Sequence, residues 1–177
     1  GVAYADEGVL LRQAGIKLPI LVMNAEPAGF ESCIAYQLEP AIYSPTHLDA
    51  FIRTLIASQI QDYPIHLKFD TGMHRLGFLP EQTDQLLQTL RAQPEVCVKS
   101  VYSHMACADE PQHPMNAQQI SSFNAICSQF ESALPYPFLK HLLNSEGAAH
   151  FPQAQFDMVR LGIGLFGVNH DPQFEQK

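Results

Sequence analysis

Positively charged side chains stand at two places where apolar stretches of this chain end. The first is the run His66–Gly77 (HLKFDTGMHRLG), in which Lys68 and Arg75 follow a hydrophobic start. The second is Met158–Gly167 (MVRLGIGLFG), which is apolar except for Arg160. In a protein with a formal net charge of −8, cations at these places indicate a site for an anionic ligand.

Arg160 carries the stronger signal of the two arginines. Its neighbours Met158, Val159 and Leu161 are apolar, so its side chain is expected to be buried, where an unpaired charge is very costly. Arg160 therefore needs a partner. A bound ligand or cofactor is at least as good a candidate for that partner as an acidic side chain.

Phosphate is the anion that the residues after Arg160 favour. Gly162 and Gly164 expose backbone N–H groups that a ligand can approach closely. The hydroxyl of Ser145, together with N–H donors around Gly162 and Ile163, would suit a phosphate monoester dianion.

Taken singly, three of the candidate residues have a more ordinary explanation. Lys68 alone would more often be a surface lysine at a strand end, and His104 alone would more often be a histidine hydrogen-bonded in a core. Asn144 followed by Ser145 is more often a helix cap. A functional interpretation depends on all of them meeting at one place.

Short apolar runs alternate with amphipathic stretches along the chain. Apolar residues at helical spacing predict helices around 48–56, 79–90 and 120–130. Strand runs without polar alternation are buried on both faces, which indicates a parallel sheet covered by helices. The predicted strands are Val2–Ala5, Pro19–Met23, Pro40–Tyr43, Pro64–Phe69, Val96–Ser103, Phe138–Leu143 and Met158–Gly167.

The expected fold class is α/β, an incomplete (β/α)8 TIM barrel forming one domain over residues 1–177. Seven of the eight strands are predicted, and a complete barrel of this type takes ~250 residues. The chain begins directly at a predicted strand, so we expect the first βα unit to be missing.

Polar residues recur where the predicted strands end. In a parallel barrel these ends form a single rim that holds the active site. We therefore expect Arg75, His104 and Arg160 to line the mouth of the barrel. The polar residues of the rim are Asp6, Glu7, Asn24, Ser44, Lys68, Asp70, Ser103, His104, Asn144 and Ser145.

Composition excludes several classes of function. Hydrophobic residues make up 46% and charged residues 16%, which favours a globular domain over a disordered chain. An acidic chain without a basic run is not expected to bind nucleic acid, and no apolar run approaches the ~20 residues that cross a bilayer. The 4 cysteines lack metal-ligand spacing, so we expect free thiols, no metal site and a cytoplasmic protein.

These segments resemble alanine racemase, a family of fold-type III pyridoxal-phosphate enzymes. The run His66–Gly77 resembles that family's fifth-strand signature, and Ser103–Glu110 resembles its sixth-strand segment. Leu143–Ser145 and Arg160–Gly167 resemble the seventh and eighth strands. The resemblance covers nearly the whole chain in the right order. The segments Asp70–Arg75 and Leu38–Pro40 also look like those of the racemase half of bacterial fusions with a muramyl-peptide ligase.

The resemblance implies a role for each candidate residue around pyridoxal 5'-phosphate. Arg160 would hydrogen-bond the pyridine nitrogen, and His104 would orient Arg160. Arg75 would lie near the phenolic oxygen and the substrate carboxylate, beside Lys68, which many relatives carry as a carbamate. Arg75, Lys68 and His104 are thus the predicted catalytic residues. Cofactor binding is predicted for Arg160, His104, Ser145, Asn144, Gly162 and Ile163.

Two functional residues of the family have no match in this sequence. The family's Schiff-base lysine lies in a first-strand motif that does not occur here. The second base is a tyrosine of a C-terminal β domain that acts across a dimer, and we expect that domain to be absent as well. The chain alone is therefore expected to be inactive. The lysines without the required context are Lys17, Lys68, Lys99, Lys140 and Lys177.

The resemblance implies that the parent protein interconverts L- and D-alanine for peptidoglycan synthesis, with one base on each face of the α-carbon. It would be a homodimer whose active site is shared between subunits, and it would bind neither nucleic acid nor membrane. Two alternatives stay open. One is a single-domain pyridoxal-phosphate homeostasis protein, and the other is a noncatalytic barrel remnant.

Overall fold

The computed structural model describes residues 1–168, and within them five parallel strands alternate with helices. The strands are β1 (Leu21–Val22), β2 (Glu39–Ile42), β3 (Tyr63–Lys68), β4 (Val96–Tyr102) and β5 (Leu139–His141). The helices are α1 (Ala5–Gln13), α2 (Phe30–Ala35), α3 (Pro45–Ala57), α4 (Thr83–Ala92), α5 (Pro114–Ala133) and α6 (Ser145–His150). Residues 169–177, the last part of the predicted domain, lie outside the described residues, and Lys177 with them.

The strands form one sheet in the order β1-β2-β3-β4-β5, and every neighbouring pair is parallel. The predicted α/β class is confirmed by this sheet. Parallel pairing places all the carboxyl ends at one edge. At that edge Lys68, Tyr102 and His141 are register partners across β3, β4 and β5, so their side chains are brought into one row.

The first predicted strand, Val2–Ala5, is reduced to a bridge between Val2 and Val22. The N–H of Val2 donates to the carbonyl of Leu21 at 2.8 Å, so the segment does meet the edge of the sheet. Helix α1 then begins at Ala5, and the chain leaves the sheet before a strand can develop.

The last predicted strand, Met158–Gly167, does not form. Its backbone contacts the chain just beyond the end of β5, where the N–H of Arg160 donates to the carbonyl of Leu143 at 3.0 Å. Gly162 has φ −118° and ψ −101°, outside the β region, and the chain continues into a 3-10 helix at Ile163–Phe166. The prediction of seven strands is therefore not confirmed, and the described residues form an open five-stranded sheet.

The helices confirm the apolar periodicity of the sequence. Ser44 caps α3, since its Oγ accepts the N–H of His47 at 3.2 Å, and Pro45 occupies the first turn. Phe51 and Leu55 of this helix are fully buried, and burial of side chains of this size contributes about 1.5–3 kcal/mol each. No helix within residues 1–168 is both long and apolar enough to span a bilayer.

Candidate functional site

A cavity of about 390 Å³ lies at the carboxyl ends of β3, β4 and β5. It adjoins a larger cleft of about 950 Å³ along the open side of the sheet, whose lining also includes Lys68, Arg75 and Arg160. All of the predicted site residues line the smaller cavity, so the structure brings them together. These are Lys68, Arg75, His104, Asn144, Ser145, Arg160, Gly162 and Ile163.

The guanidinium of Arg160 is held by neutral acceptors. Its Nη2 donates to the carbonyls of Ser103 at 2.6 Å and Leu142 at 3.0 Å. Its Nη1 donates to the carbonyl of His141 at 3.2 Å and lies 2.6 Å from Nδ1 of the same residue. The Cζ atom lies 5.2 Å from the centre of the Tyr102 ring, within the range of a cation–π contact.

The charge of Arg160 is positioned by these contacts but not neutralised. Within residues 1–168, no carboxylate forms an ion pair with it. Burial lowers the pKa of Arg160 to about 10, so the guanidinium is still protonated at neutral pH. A half-buried cation without a counter-charge is costly unless an anion or an electron-rich ligand atom joins it.

His104 makes the contact with Arg160 that the resemblance implies, at a longer distance than His141 does. Its Nδ1 lies 3.3 Å from Nη2 of Arg160. Burial first, and then the positive charges of Arg160, Arg75 and Lys68, lower the pKa of His104 to about 4. The ring is therefore neutral at pH 7, and Nδ1 is able to accept from the guanidinium.

The sequence reasoning missed His141, a fully buried residue at the end of β5. Its ring stacks on that of Tyr102, with centroids 4.8 Å apart and an angle of 4° between the planes. It lies within the predicted strand Phe138–Leu143, which is otherwise largely apolar. The available signal was the recurrence of polar residues within predicted strands, at His66, Ser100 and His141.

Lys68 ends β3 and is 7% exposed. Its ammonium has no hydrogen-bonding or ion-pairing partner among the residues that the structure describes. Burial first, and then the positive charges of Arg75 and Arg160, lower the pKa of Lys68, and Asp70 opposes this shift. A larger fraction of neutral amine makes this side chain a better nucleophile than an exposed lysine.

Arg75 lies exposed at the rim of the cavity, on a turn organised by Asp70. One carboxylate oxygen of Asp70 accepts the N–H groups of Gly72 at 2.9 Å and His74 at 3.0 Å. Burial raises the pKa of Asp70, but these hydrogen bonds outweigh burial and the net shift is downward. At Gly77 φ is +145°, and a Cβ atom would lie 2.4 Å from the backbone nitrogen of Asp70, so the turn requires glycine there.

Two backbone donors converge on the hydroxyl of Ser145. The N–H groups of Gly162 and Gly164 donate to its Oγ at 3.0 and 3.2 Å. A Cβ atom at residue 164 would lie 3.1 Å from that oxygen, so glycine keeps this cradle open. Ile163 lies between the two glycines and lines the cavity, and its predicted part in phosphate binding stays a prediction.

Asn144 lines the cavity and also caps helix α6. Its Oδ1 accepts the N–H of Gly147 at 2.9 Å. The ordinary explanation of an Asn-Ser pair, a helix cap, is therefore correct for Asn144, and the cap fixes the backbone that carries Ser145.

Known proteins resemble this chain over nearly its whole length. The family model described as "Alanine racemase, N-terminal domain" matches residues 1–170. The chain is 35% identical over 181 residues to the alanine racemase of Nostoc sp., covering 100% of this chain and 47% of the relative. It is 36% identical over 172 residues to that of Sorangium cellulosum, covering 95% of this chain and 45% of the relative. The chain thus spans about half the length of the curated relatives it matches.

Solved structures give the same result. The alanine racemase of D-cycloserine-producing Streptomyces lavendulae superimposes with a TM-score of 0.89 at 31% identity, over 97% of this chain and 46% of that one. The alanine racemase of Streptomyces coelicolor also gives a TM-score of 0.89, at 29% identity over 97% and 47% of the two chains. The chain therefore belongs to the alanine racemase family, whose enzymes depend on pyridoxal 5'-phosphate.

Proposed function

We propose that this chain forms the pyridoxal-phosphate-binding part of an enzyme that interconverts L- and D-alanine. One observation carries the proposal. The uncompensated cation of Arg160 lines the same cavity of about 390 Å³ as Ser145, whose hydroxyl accepts the N–H groups of Gly162 and Gly164. A ligand with a phosphate group at one end and a ring nitrogen at the other matches this arrangement.

The donors around the cavity fit the cofactor at both ends. At the phosphate end, the Ser145 hydroxyl and the N–H groups of Gly162 and Gly164 would serve as neutral hydrogen-bond donors. At the ring end, Arg160 is held from behind by carbonyls and by His141, with its charge uncompensated. Bound here, pyridoxal phosphate would supply the electron-withdrawing ring system that acidifies the α-hydrogen of an amino acid.

The chemistry of this chain's own residues follows from their charges. Arg160 keeps its proton at neutral pH, so it would donate to the ring nitrogen and leave that nitrogen unprotonated. His104 is neutral and accepts from Arg160, which fixes the plane of the guanidinium. Arg75, exposed at the rim, would bind the carboxylate of the incoming amino acid.

Lys68 is proposed to carry a carbamate. Two arginines face it, and its lowered pKa favours the neutral amine, which attacks CO₂ and releases a proton. The product is an anion between cations, which would remove the repulsion between Lys68 and Arg75 and hold the arginine in place.

We further propose that the 177-residue protein binds the cofactor but has negligible racemase activity alone. Racemisation needs a base on each face of the α-carbon. The lysine and the tyrosine that the resemblance assigns to these tasks have no counterpart among the residues of this chain. The whole protein is proposed to act as a cytoplasmic homodimer that supplies D-alanine for peptidoglycan.

Calorimetric titration with 4'-deoxypyridoxine 5'-phosphate tests the proposal, because this analogue keeps the ring and phosphate but lacks the aldehyde that reacts with lysines. We expect saturable binding that weakens about tenfold or more without the phosphate group, and likewise in Ser145→Ala, the loss expected for charge-assisted hydrogen bonds. Ser132→Ala, on the exposed side of α5, is the matched control and should bind like the wild type. Absence of saturable binding, or equal affinity in Ser145→Ala, would contradict the proposal.

A further inference from the structure

A line of hydrogen bonds runs from Arg160 across the sheet to Glu39. Nη1 of Arg160 lies 2.6 Å from Nδ1 of His141, and Nε2 of His141 lies 2.9 Å from Oγ of Ser100. Oγ of Ser100 lies 2.6 Å from Nδ1 of His66, and Nε2 of His66 lies 2.8 Å from Oε2 of Glu39. The line thus crosses four adjacent strands, from β5 to β2.

The middle of this line is shielded from water. Ser100 and His141 are 0% exposed, and His66 is 5% exposed. Buried polar atoms are costly without partners, and both ring nitrogens of each histidine have one. Burial first, and then Arg160 and His66, lower the pKa of His141 to about 2, so its ring stays neutral at neutral pH.

The two ends of the line fix the direction of every proton in it. A guanidinium can only donate, so Nδ1 of His141 accepts and the ring proton is on Nε2, which donates to Ser100. The hydroxyl proton of Ser100 then turns to Nδ1 of His66. In the neutral tautomer that accepts from Ser100, the proton of His66 is on Nε2, where it is donated to Glu39, whose carboxylate can only accept.

We propose that Glu39 is a positioning residue for Arg160 and acts through His66, Ser100 and His141. Aligned hydrogen bonds polarise one another, so the carboxylate at one end makes Nδ1 of His141 a stronger acceptor for the guanidinium at the other. Without that carboxylate, the proton of His66 moves to Nδ1. Ser100 then no longer donates to His66, and its hydrogen bond with His141 is no longer polarised by Glu39. Arg160 then loses part of the support that fixes its plane.

The inference rests on the proposed function only in that the fixed guanidinium serves a bound cofactor. The effect on Arg160 itself is a property of the protein without cofactor. It can be measured by nuclear magnetic resonance of the histidine ring nitrogens and the arginine Nη groups in the 177-residue protein.

In the wild type we expect His66 and His141 in the Nε2–H form, and separate, slowly exchanging Nη signals for Arg160. In Glu39→Leu, which removes the acceptor at similar size, His66 should change to the Nδ1–H form and the Arg160 signals should broaden. Glu39→Gln retains an acceptor oxygen and should restore the wild-type spectrum. Glu131→Leu removes a carboxylate that pairs with Lys140 on the exposed surface, and it serves as the matched control.

Affinity for the deoxypyridoxine phosphate analogue gives the second readout. Glu39→Leu should weaken it by about fivefold, the size of one impaired charge-assisted hydrogen bond, while Glu131→Leu leaves it unchanged. Unchanged Arg160 signals in Glu39→Leu would overturn the inference. If that variant does not fold, Ser100→Ala decides, since it cuts the line in the middle and must broaden the Arg160 signals while His66 stays in the Nε2–H form. A wild type that binds no analogue yet shows these spectra would refute the proposed function and leave the inference standing.

Discussion

Nη1 of Arg160 lies 2.6 Å from Nδ1 of His141, a residue that is completely buried and lies outside the set predicted from the sequence. A protonated ring could not accept from a guanidinium, so this contact requires a neutral His141. The stability of the fold is thereby linked to pH through a histidine.

The first prediction concerns acid sensitivity. The folded-state pKa of His141 is about 2, below the value of ~6.5 for a histidine in an unfolded chain, so between these values the unfolded state binds a proton that the folded state does not. Stability from this group is therefore complete above pH ~6.5 and is lost as the pH falls. Urea unfolding at pH 7 and pH 5 should show a decrease, smaller in His141→Gln. An equal decrease in the free energy of unfolding in the wild type and in His141→Gln would disprove the link. His74→Gln, at an exposed histidine, is the control and should behave like the wild type.

The second prediction concerns Lys68. With ¹³C-labelled bicarbonate at mildly alkaline pH, a carbamate carbonyl resonance should appear in the wild type and be absent in Lys68→Arg. Lys140 is the matched control, because its hydrogen bond to Glu131 raises its pKa and keeps it protonated. Lys140→Arg should retain the resonance, and a signal that disappears only with Lys140 would show that the wrong amine was chosen.

Two tyrosines provide a matched pair for the third prediction. The hydroxyl of Tyr102 is buried without a hydrogen-bond partner among the described residues, whereas that of Tyr63 lies 2.7 Å from the carbonyl of Cys33 and 2.8 Å from that of Leu38. Tyr63→Phe should cost about 1–3 kcal/mol in the free energy of unfolding because it leaves a buried acceptor unsatisfied. Tyr102→Phe should be neutral or stabilising. Similar losses in both variants, measured by urea denaturation, would show that Tyr102 does have a partner.

The fourth prediction concerns the turn that carries Arg75. Gly77→Ala places a Cβ atom 2.4 Å from the backbone nitrogen of Asp70 at φ +145°, so the turn must shift, at a cost of about 3 kcal/mol or more. Gly15→Ala, also at positive φ but with open space around it, should cost only about 1 kcal/mol. Comparable unfolding midpoints for the two variants would contradict the strain assigned to residue 77.

The sequence predicted part of the carboxyl-end rim, because apolar runs end where polar residues begin and parallel pairing brings those ends together. Of the ten polar residues predicted for the rim, Lys68, His104, Asn144 and Ser145 line the cavity. The sequence could not predict the line of hydrogen bonds that runs from Arg160 to Glu39. Its members His66, Ser100 and His141 look like ordinary strand residues until the register of the strands aligns them.

The two unconfirmed strands share one cause. Apolar composition predicts an extended conformation, but an extended run becomes a strand only when a neighbour completes its hydrogen bonds. Val2 leaves the sheet at once because a helix starts at Ala5, and the chain after Arg160 turns at Gly162. Neither event is encoded in hydrophobicity alone.

The hydroxyl oxygen of Ser145 occupies the position on which the N–H groups of Gly162 and Gly164 converge. Both amides therefore have a hydrogen-bond partner within the protein itself. If phosphate binds here as proposed, rotation of the Ser145 side chain about one bond releases both N–H groups to a phosphate oxygen, with little rearrangement of the main chain.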